Sequence, residues 1–369
     1  MLGAASVGAV FCSTSPDFGA DGVLDRFGQI EPVVLFAADG YKYNGKVIDG
    51  AARLEEIRQG LPTVREVVVV GHLGDDPRVV AEQVGTVLSW GQLLADHLGA
   101  PAEYRRLPFD HPWYILFSSG TTGAPKAIVH RCGGILLQHR KEHLLHCDIA
   151  AGDRVLYFTT CGWMMWNWLA SVLASGATVY CYDGAPFHPE PMSLLELADR
   201  ERITFLGVSA KYLDALRSEG VVPSDEYELA SLRTLASTGS PLSPEMFAWV
   251  YESLHSNVHL ASISGGTDLC ACFILGDPTL PVYAGEIQGP GLGMAVDVYD
   301  EDGASAGIDE RGELVCAAAF PSMPLQFWGD VDGSRYRGAY FEKFEGVWSH
   351  GDFASWTNHG GVIVHGRSD

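Results

Sequence analysis

The sequence predicts an α/β protein, in which mostly parallel sheets are flanked by helices and followed by a small antiparallel β subdomain. Two observations support the first part: apolar, β-branched runs recur along the chain, and amphipathic helical patterns stand between them. A third supports the second part, since the runs after Pro281 become short, alternating and rich in turn residues. The chain has 369 residues, 47% of them hydrophobic, which is enough for a large core divided into subdomains.

The predicted elements alternate along the chain, as expected for sheets covered by helices on both faces. Strands are predicted at residues 32–38, 66–71, 113–119, 154–160, 176–182, 203–209, 232–238 and 258–264. Helices are predicted at residues 133–147, 210–220 and 244–254. The short runs of the antiparallel part lie within residues 294–307, 312–318 and 346–367.

Three structural units follow from this order. We expect an incomplete first α/β subdomain at residues 1–108, a second α/β subdomain at 109–284, and a β subdomain at 285–369. The opening residues 1–11 are apolar and indicate the end of a core helix followed by a strand. We therefore expect the chain to start inside a domain.

The charge of the chain argues against two classes of partner. There are 46 acidic residues against 24 Lys and Arg, a net charge of −22, so we expect neither nucleic acid nor an anionic membrane surface. Small anionic ligands stay possible, because backbone N–H groups and a few cations can bind them. There is no run of about 18 apolar residues, and we expect the eight cysteines to be reduced core residues of a cytoplasmic protein.

The run SSGTTGAPK at residues 118–126 is too polar for the core, yet it follows directly on the apolar run 113–117. Its glycines let backbone N–H groups approach an anion, its hydroxyls add donors, and Lys126 supplies a positive charge. It is not the common phosphate loop, because Pro125 stands where that pattern needs glycine. A surface turn is the alternative for such a cluster, but its place after a buried strand favours a phosphate site.

This run closely resembles the signature loop of the adenylate-forming enzymes, which include acyl-CoA synthetases and peptide-synthetase adenylation domains. Further stretches resemble motifs of that family in the expected order: GSPLSPE at 239–245, SGGTD at 264–268, HGDF at 350–353 and GRSD at 366–369. Residues 15–46 and 161–168 look like the acetoacetate-activating members. The resemblance covers essentially the whole chain and implies the fold of the family's N-terminal domain.

The resemblance implies that acetoacetate is first joined to AMP, with release of pyrophosphate from ATP, and is then passed to CoA. Small-molecule substrates (acetoacetate, ATP and CoA) are therefore the expected partners. The residues implied to bind ATP are Ser118, Ser119, Gly120, Thr121, Thr122, Gly123 and Lys126 for the β- and γ-phosphates, Gly239, Ser240 and Pro241 for adenine, Thr267 for the α-phosphate, and Asp352 and Arg367 for the ribose side. Lys126, Thr267 and Asp268 are the implied catalytic residues.

Asp268 is the implied Mg²⁺ ligand, although most of the family has glutamate at that position. An aspartate still offers a hard carboxylate for the metal. Each of these residues also has a simpler structural interpretation. Asp352 would be a turn residue, Arg367 a surface charge, Thr267 and Asp268 a helix N-cap pair, and residues 239–241 a strand-to-helix turn. His130 either steers phosphate or merely packs at the start of a helix.

The implied acyl pocket is formed by Trp163, Met164, Trp166, Asn167, Ser209, Ala210 and Gly265. Core packing is the alternative for the aromatic cluster. Acetate-using relatives carry tryptophan where Gly265 aligns, so glycine implies room for a longer acyl chain. An extra methylene discriminates by only ~1–3 kcal/mol, so we expect Asn167 or a backbone N–H to bind the keto oxygen.

The resemblance also implies what the chain lacks. The family's mobile C-terminal domain, with its catalytic lysine and one wall of the CoA tunnel, is expected to be absent, and Asp369 would be the hinge. The leading hypothesis is an acetoacetate–CoA ligase fragment. The alternatives are another short- or branched-chain acyl-CoA synthetase and a nucleotide-binding remnant without catalysis.

Overall fold

The structure is a computed structural model that describes residues 1–73, 87–118 and 125–368. Several residues expected to act at the site fall outside these ranges, namely Ser119, Gly120, Thr121, Thr122, Gly123 and Asp369. Their expected roles therefore stay predictions.

The described residues form alternating strands and helices. The strands are β1 Val34–Ala38, β2 Gly40–Tyr43, β3 Lys46–Asp49, β4 Glu66–Val70, β5 Val87–Ser89, β6 Pro112–Ser118, β7 Lys126–Arg131, β8 Arg154–Tyr157, β9 Thr178–Tyr180, β10 Phe205–Ser209, β11 Thr234–Thr238, β12 His259–Ser262, β13 Ser264–Gly266, β14 Ala271–Leu275, β15 Gly289–Pro290, β16 Val296–Tyr299, β17 Gly312–Cys316, β18 Gln326–Phe327, β19 Trp348–Trp356 and β20 Val362–Arg367. The α-helices are Leu2–Val7, Ala20–Ile30, Ala51–Gly60, Trp90–Asp96, Cys132–Lys141, Met165–Ser171, Ser193–Arg200, Ala210–Ser218, Pro244–Trp249 and Ser334–Tyr340. Glu142–His146 and Val250–Leu254 continue two of them as π-helix, and Val172–Ser175 and Pro223–Asp225 are 3₁₀ turns.

A parallel sheet in the order β12-β11-β10-β8-β9 lies at the centre of the described structure. Neighbouring residues on its strands point to opposite faces, so Leu206 packs into one buried cluster while Phe205 packs into another. Helices cover both faces, as the near-continuous apolar strands predict. The β1-β4-β5 sheet is also parallel. The predicted α/β fold class is therefore confirmed.

The antiparallel part is confirmed as well. Strands β16, β17, β19 and β20 pair side by side with antiparallel register. Trp348 is fully buried at the start of β19 and packs with Phe273, Phe320 and Tyr340 into one apolar cluster. This packing attaches the C-terminal sheet to β14, which follows the central sheet along the chain.

The strand predicted at 113–119 is confirmed for its described part, since Pro112–Ser118 forms β6, which pairs with β7 in an antiparallel hairpin outside the parallel sheet. The prediction for the start of the chain is wrong. At the start of the chain, the Leu2–Val7 helix has no buried residue, and the expected strand is reduced to a single bridge between Phe11 and Tyr114. The helix is short and its end side chains face solvent, so it contributes little to the core.

The cysteines are only partly as predicted. All eight are free of disulfides, and Cys270, Cys272 and Cys316 are buried. Cys161 and Cys181, however, are exposed, because both lie just beyond the buried part of their segments. Among the described helices, none combines the length and the apolar character needed to cross a lipid bilayer.

Candidate active site

The carboxyl ends of the central strands bring several predicted site residues to one edge. Ser209 ends β10 and is in register with Thr238, which ends β11 directly before Gly239. An added Cβ on Gly239 would lie 3.9 Å from Cβ of Ser209 and 4.0 Å from the ring of Trp163. The predicted adenine segment and acyl pocket are therefore neighbours. Ligands bind at this edge in open α/β sheets.

The predicted adenine segment is exposed. Gly239, Ser240 and Pro241 lie between β11 and the Pro244–Trp249 helix, so the segment is also the strand-to-helix turn of the alternative interpretation. Gly239 has φ of 88°, a left-handed conformation that favours glycine. Ser243 caps the following helix by accepting a hydrogen bond from the Met246 N–H at 3.3 Å.

Thr267 and Asp268 lie in the turn of a β-hairpin formed by β13 and β14. A strand follows them, so they are not a helix N-cap pair. The hydroxyl of Tyr340 donates to Oδ1 of Asp268 at 2.5 Å. The turn is closed by the Cys270 N–H, which donates to the Thr267 carbonyl at 3.2 Å.

Buried polar residues hold this turn from behind. The His139 ring bridges the Cys270 carbonyl (Nε2, 2.5 Å) and the hydroxyl of Ser171 (Nδ1, 2.7 Å). Burial lowers the pKa of His139, so the ring is neutral at physiological pH. One ring nitrogen donates while the other accepts, which suits a carbonyl on one side and a hydroxyl on the other.

Glu142 is a second buried support. Its carboxylate accepts hydrogen bonds from the Cys272 N–H at 3.1 Å, from Trp168 Nε1 at 2.9 Å and from Gln138 Nε2 at 3.0 Å. The side chain is fully buried, and several donors compensate its charge. Glu142 therefore fixes β14 to the helix behind it.

The stems of the predicted phosphate loop face each other across the β6–β7 hairpin, where Ser118 pairs with Lys126. Ser118 Oγ is buried and has no hydrogen-bond partner within the described part of the chain. Lys126 Nζ lies over the ring of Tyr340, 5.8 Å from its centroid. Tyr340 thus lies beside Lys126 and contacts Asp268, two residues predicted to act on the phosphates.

Asp352 and Arg367 are brought together by the pairing of β19 with β20. Arg367 Nη1 lies 3.4 Å from Oδ1 of Asp352, and His350 Nε2 lies 3.5 Å from Oδ2. His350 Nε2 also lies 3.4 Å from the carbonyl oxygen of Gly265, which connects Asp352 to the hairpin of Asp268. Asp352 is buried within a strand, not in a turn, whereas Arg367 is exposed.

The predicted acyl pocket residues have mixed surroundings. Met164 and Asn167 are buried, and Trp163 and Trp166 are half-buried. Oδ1 of Asn167 has no hydrogen-bond partner among the described residues. A buried amide oxygen without a partner is unfavourable, so it is available to a ligand or water.

Two other pocket residues have structural roles of their own. Ser209 is the N-cap of the Ala210–Ser218 helix, because its Oγ accepts from the Tyr212 N–H at 3.1 Å. Ala210 is buried directly behind it. The capping bond explains why serine stands at 209, and burial explains why a small apolar residue stands at 210. Neither contact excludes a ligand on the side of these residues that faces Gly239.

Gly265 is enclosed by backbone. An added Cβ would lie 2.0 Å from the Ala271 carbonyl oxygen and 2.7 Å from Cα of Cys272. Close approach of β13 to β14 therefore requires glycine here, whatever the acyl group. This is a second reason for glycine beside the expected room for substrate.

His130 is not at a helix start, because it lies in β7 and is fully buried. Neither ring nitrogen has a hydrogen-bond partner among the described residues, although the Thr267 backbone is close enough to influence it. Burial lowers its pKa to about 3. A neutral, enclosed ring supports the packing interpretation over phosphate steering.

A cavity of about 500 Å³ lies elsewhere, lined by Arg233, Asn257, His259 and neighbouring residues. These residues stand at the amino ends of β11 and β12. The cavity is therefore at the opposite edge from the predicted site. The convergence of Asp268, Asp352 and Lys126 is a stronger reason to place chemistry at the carboxyl edge.

Comparison with known proteins identifies the family of the chain. The family model described as AMP-binding enzyme matches residues 1–322. The chain belongs to the AMP-binding enzyme family. The resemblance seen in the sequence is thereby confirmed.

Among AMP-binding enzymes, the chain is similar to acetoacetyl-CoA synthetases. It is 55% identical over 100% of its length to one from Rhizobium meliloti (strain 1021) and 47% identical over 100% to one from Mus musculus. Its structure matches that of the Streptomyces lividans acetoacetyl-CoA synthetase with a TM-score of 0.92, at 46% identity and over 99% of this chain.

The chain spans about half the length of these AMP-binding relatives. It covers 56% of the Rhizobium meliloti protein, 55% of the Mus musculus protein and 56% of the Streptomyces lividans chain.

Four residues of the site were missed by the sequence reasoning. His139 and Glu142 had a usable signal, because polar side chains recur at helical spacing in a segment predicted to be a helix. His350 stands next to a recognised motif but had no assigned role. Tyr340 had no local signal, since it is 72 residues from Asp268 in the chain.

Proposed function

We propose that this chain carries the nucleotide- and acid-binding part of an acetoacetate–CoA ligase, which forms acetoacetyl-CoA, AMP and pyrophosphate from acetoacetate, ATP and CoA. The observation that carries the proposal is a series of contacts that joins three predicted site residues: Lys126 lies over Tyr340, Tyr340 donates to Asp268, and His350 connects Asp352 to the hairpin of Asp268. The similarity to acetoacetyl-CoA synthetases over the whole chain supports the choice of substrate.

The residues present fit a nucleotide. The buried hydroxyl of Ser118 has no partner among the described residues, and Lys126 offers a positive charge across the same hairpin. These two side chains would hold phosphate oxygens, together with loop residues Ser119, Gly120, Thr121, Thr122 and Gly123. Asp352 would accept hydrogen bonds from the ribose hydroxyls, and Gly239, Ser240 and Pro241 would lie along adenine. Thr267 would bind the α-phosphate and Arg367 the ribose side.

Asp268 also suits a Mg²⁺ ion that is bound mainly by the phosphates of a nucleotide. The described residues contain no group of three or more His, Cys, Asp or Glu arranged to hold a metal ion. Mg²⁺ commonly uses one or two carboxylates together with substrate phosphates and water. Asp268 would supply such a carboxylate, and the metal would neutralise charge on the phosphates. Lys126, Thr267 and Asp268 would thereby position the α-phosphate for attack by the acid.

For the acid, we propose a pocket lined by Trp163, Met164, Trp166, Asn167, Ser209, Ala210 and Gly265. Asn167 is the buried polar residue of this pocket, and the only hydrogen-bond contact of its Nδ2 among the described residues is a long one to Sδ of Met1 at 3.9 Å. The amide would present its N–H₂ group to the keto oxygen, which accepts a hydrogen bond. We further propose that the chain acts in the cytoplasm on small molecules alone, without a nucleic acid or membrane partner, and that Asp369 is the hinge.

Nucleotide binding to the chain can be tested first. Isothermal titration with Mg·ATP and with AMP should show binding to the wild-type chain. Lys126→Ala should weaken Mg·ATP binding by about tenfold or more, because a charge-assisted contact is lost. Lys46→Ala, at an exposed position on β3, is the matched control and should bind normally. Equal affinity of the Lys126→Ala and wild-type chains would contradict the phosphate role.

Acid activation needs a second measurement. Release of pyrophosphate should be followed with acetoacetate, acetate and butyrate as the acid. Faster release with acetoacetate would support the proposal, and faster release with another acid would point to a different short-chain acyl-CoA synthetase. Nucleotide binding without any release would support a nucleotide-binding role only.

A further inference from the structure

Tyr340 touches the predicted cation site, although it lies outside every recognised motif. Its hydroxyl donates to Oδ1 of Asp268 at 2.5 Å, and Oδ2 of Asp268 has no hydrogen-bond partner among the described residues. The face of the same ring lies toward Lys126 Nζ, 5.8 Å from the ring centroid. One side chain therefore contacts two charged residues that are expected to act on the nucleotide.

The ring of Tyr340 is held firmly by its surroundings. It stacks on Trp348, with centroids 3.7 Å apart and planes 12° from parallel. Phe327 and Tyr336 pack edge-on against it. Since Tyr340 and Trp348 are both almost completely buried, the hydroxyl has a fixed position relative to the hairpin that carries Asp268.

The Ser334–Tyr340 helix that carries the tyrosine is also fixed at its start. The Asp330 carboxylate accepts from the backbone N–H groups of Arg335 at 3.2 Å and Tyr336 at 2.9 Å. These bonds satisfy donors that a helix otherwise leaves unpaired. The helix thus places Tyr340 reproducibly over the site.

We propose that Tyr340 is a positioning residue, which holds one oxygen of Asp268 so that the other faces the Mg²⁺ of a bound nucleotide. This inference rests on the proposed function. The phenol has a single O–H group, and this geometry directs it at Oδ1 of Asp268. Fixing a metal ligand through a neighbouring hydrogen bond is a common way to set its orientation.

The decisive variant is Tyr340→Phe, which removes the hydroxyl and keeps the ring stacked on Trp348. Tyr336→Phe is the matched control, since Tyr336 lies one turn earlier on the same helix and its hydroxyl makes no hydrogen bond within the described structure. Titration with ATP in excess Mg²⁺, with ATP in EDTA, and with AMP separates cation-dependent binding from binding of the nucleotide itself.

We expect Tyr340→Phe to weaken binding of Mg·ATP about fivefold, as suits the loss of one hydrogen bond to a charged group. Binding of AMP and of metal-free ATP should be unchanged, and Tyr336→Phe should bind all three normally. Equal weakening for all three ligands would reveal a purely structural role. Tighter binding of Mg·ATP would show that the hydroxyl competes with the cation, and either result overturns the proposal.

A second measurement needs no nucleotide. Unfolding by urea is compared for Tyr340→Phe, Asp268→Ala and the double variant. If the hydroxyl acts through Asp268, Tyr340→Phe lowers the stability of the wild-type chain but not that of Asp268→Ala. Independent losses that add in the double variant would overturn the proposal.

The two measurements separate the inference from the function on which it rests. Absence of Mg·ATP binding by the wild-type chain would overturn the proposed function, and with it the cation role of Tyr340. Normal Mg·ATP binding by Tyr340→Phe would overturn only the role of Tyr340.

Discussion

Two segments follow the carboxyl ends of the neighbouring strands β11 and β12, and they are supported in opposite ways. The turn with Thr267 and Asp268 is held by Tyr340 in front and by the buried His139 and Glu142 behind. The segment at residues 239–241 is exposed, and its support comes from the strand and helix that it connects. The two segments belong to the same proposed site but differ in how tightly the protein fixes them.

The difference follows from what each segment would contact. A carboxylate that faces a metal and phosphates must be oriented before the ligand arrives, because reorganising charged groups is costly. A surface that packs against a flat base contributes shape complementarity, and no charged group in it has to be oriented before the ligand binds. We therefore expect substitutions around the turn to affect stability strongly and substitutions in the open segment to affect it weakly.

The largest effect is expected for Glu142→Ala. It leaves the donors of Cys272, Trp168 and Gln138 without an acceptor in the core and opens a cavity, so the free energy of unfolding should fall by about 3–4 kcal/mol. Urea denaturation measures this loss. Glu345→Ala, which removes an exposed glutamate, should change stability by less than about 0.5 kcal/mol. A similarly small loss for Glu142→Ala would show that Glu142 does not rigidly support the turn at Thr267 and Asp268.

The second largest effect is expected for Gly265→Ala. Its new methyl group would overlap the backbone of Ala271 and Cys272, so β13 and β14 must separate, at a cost of about 3 kcal/mol. Gly28→Ala is the control, because Gly28 lies in a helix where an added Cβ meets nothing within 4 Å. That variant should be slightly stabilised. If both variants were stable, the enclosed geometry of Gly265 would be disproved.

The same geometry bears on acid selection. A tryptophan at position 265, as expected in acetate-using relatives, would meet the same backbone before reaching any pocket. A change of acid preference in Gly265→Trp is therefore meaningful only if the variant is shown to be folded by circular dichroism.

Lowering the pH should reduce the free energy of unfolding of the chain, in part through the buried His130. Burial lowers its pKa from an ordinary value near 6.5 to about 3, so only the unfolded chain binds a proton between these values. Stability should thus fall as the pH drops below 6.5, by up to about 1.4 kcal/mol per pH unit for this one group. Urea denaturation measured at several pH values between about 6 and about 4, which lie between the ordinary and the lowered pKa of His130, gives the change of unfolding free energy with pH. His130→Leu should make that change smaller. His97→Leu, at an exposed position, should leave the slope unchanged.

Much of the fold could be predicted from periodicity alone. The runs at 203–209 and 232–238 are rich in apolar and β-branched residues, and the strands they contain, β10 and β11, are buried almost along their whole length in the parallel sheet. Residues 113–117 have a similar apolar character, but their strand β6 pairs with β7 in a hairpin. Apolar content reports burial and not strand direction, so the sequence could not separate the two cases.

The candidate site was only partly predictable. Motifs identified Asp268 and Asp352, because their neighbours in the chain form recognisable patterns. Tyr340 could not be found this way, since its contact with Asp268 depends on how the C-terminal sheet packs against β14. The enclosure of Gly265 could not be predicted from the sequence either, because it arises from the paired strand β14 and not from residues next to Gly265 in the chain.

The smallest effect is expected for Gly239→Ala in the open segment. An added Cβ there makes only ordinary contacts, the nearest at 3.9 Å, so the cost comes from the left-handed backbone at φ of 88°. That cost is about 1 kcal/mol for an alanine. Urea denaturation of Gly239→Ala beside Gly265→Ala should therefore show a loss about three times smaller for the open segment. Equal losses would mean that both segments are equally constrained. The claim that the turn at Thr267 and Asp268 is fixed while residues 239–241 are open would then be wrong.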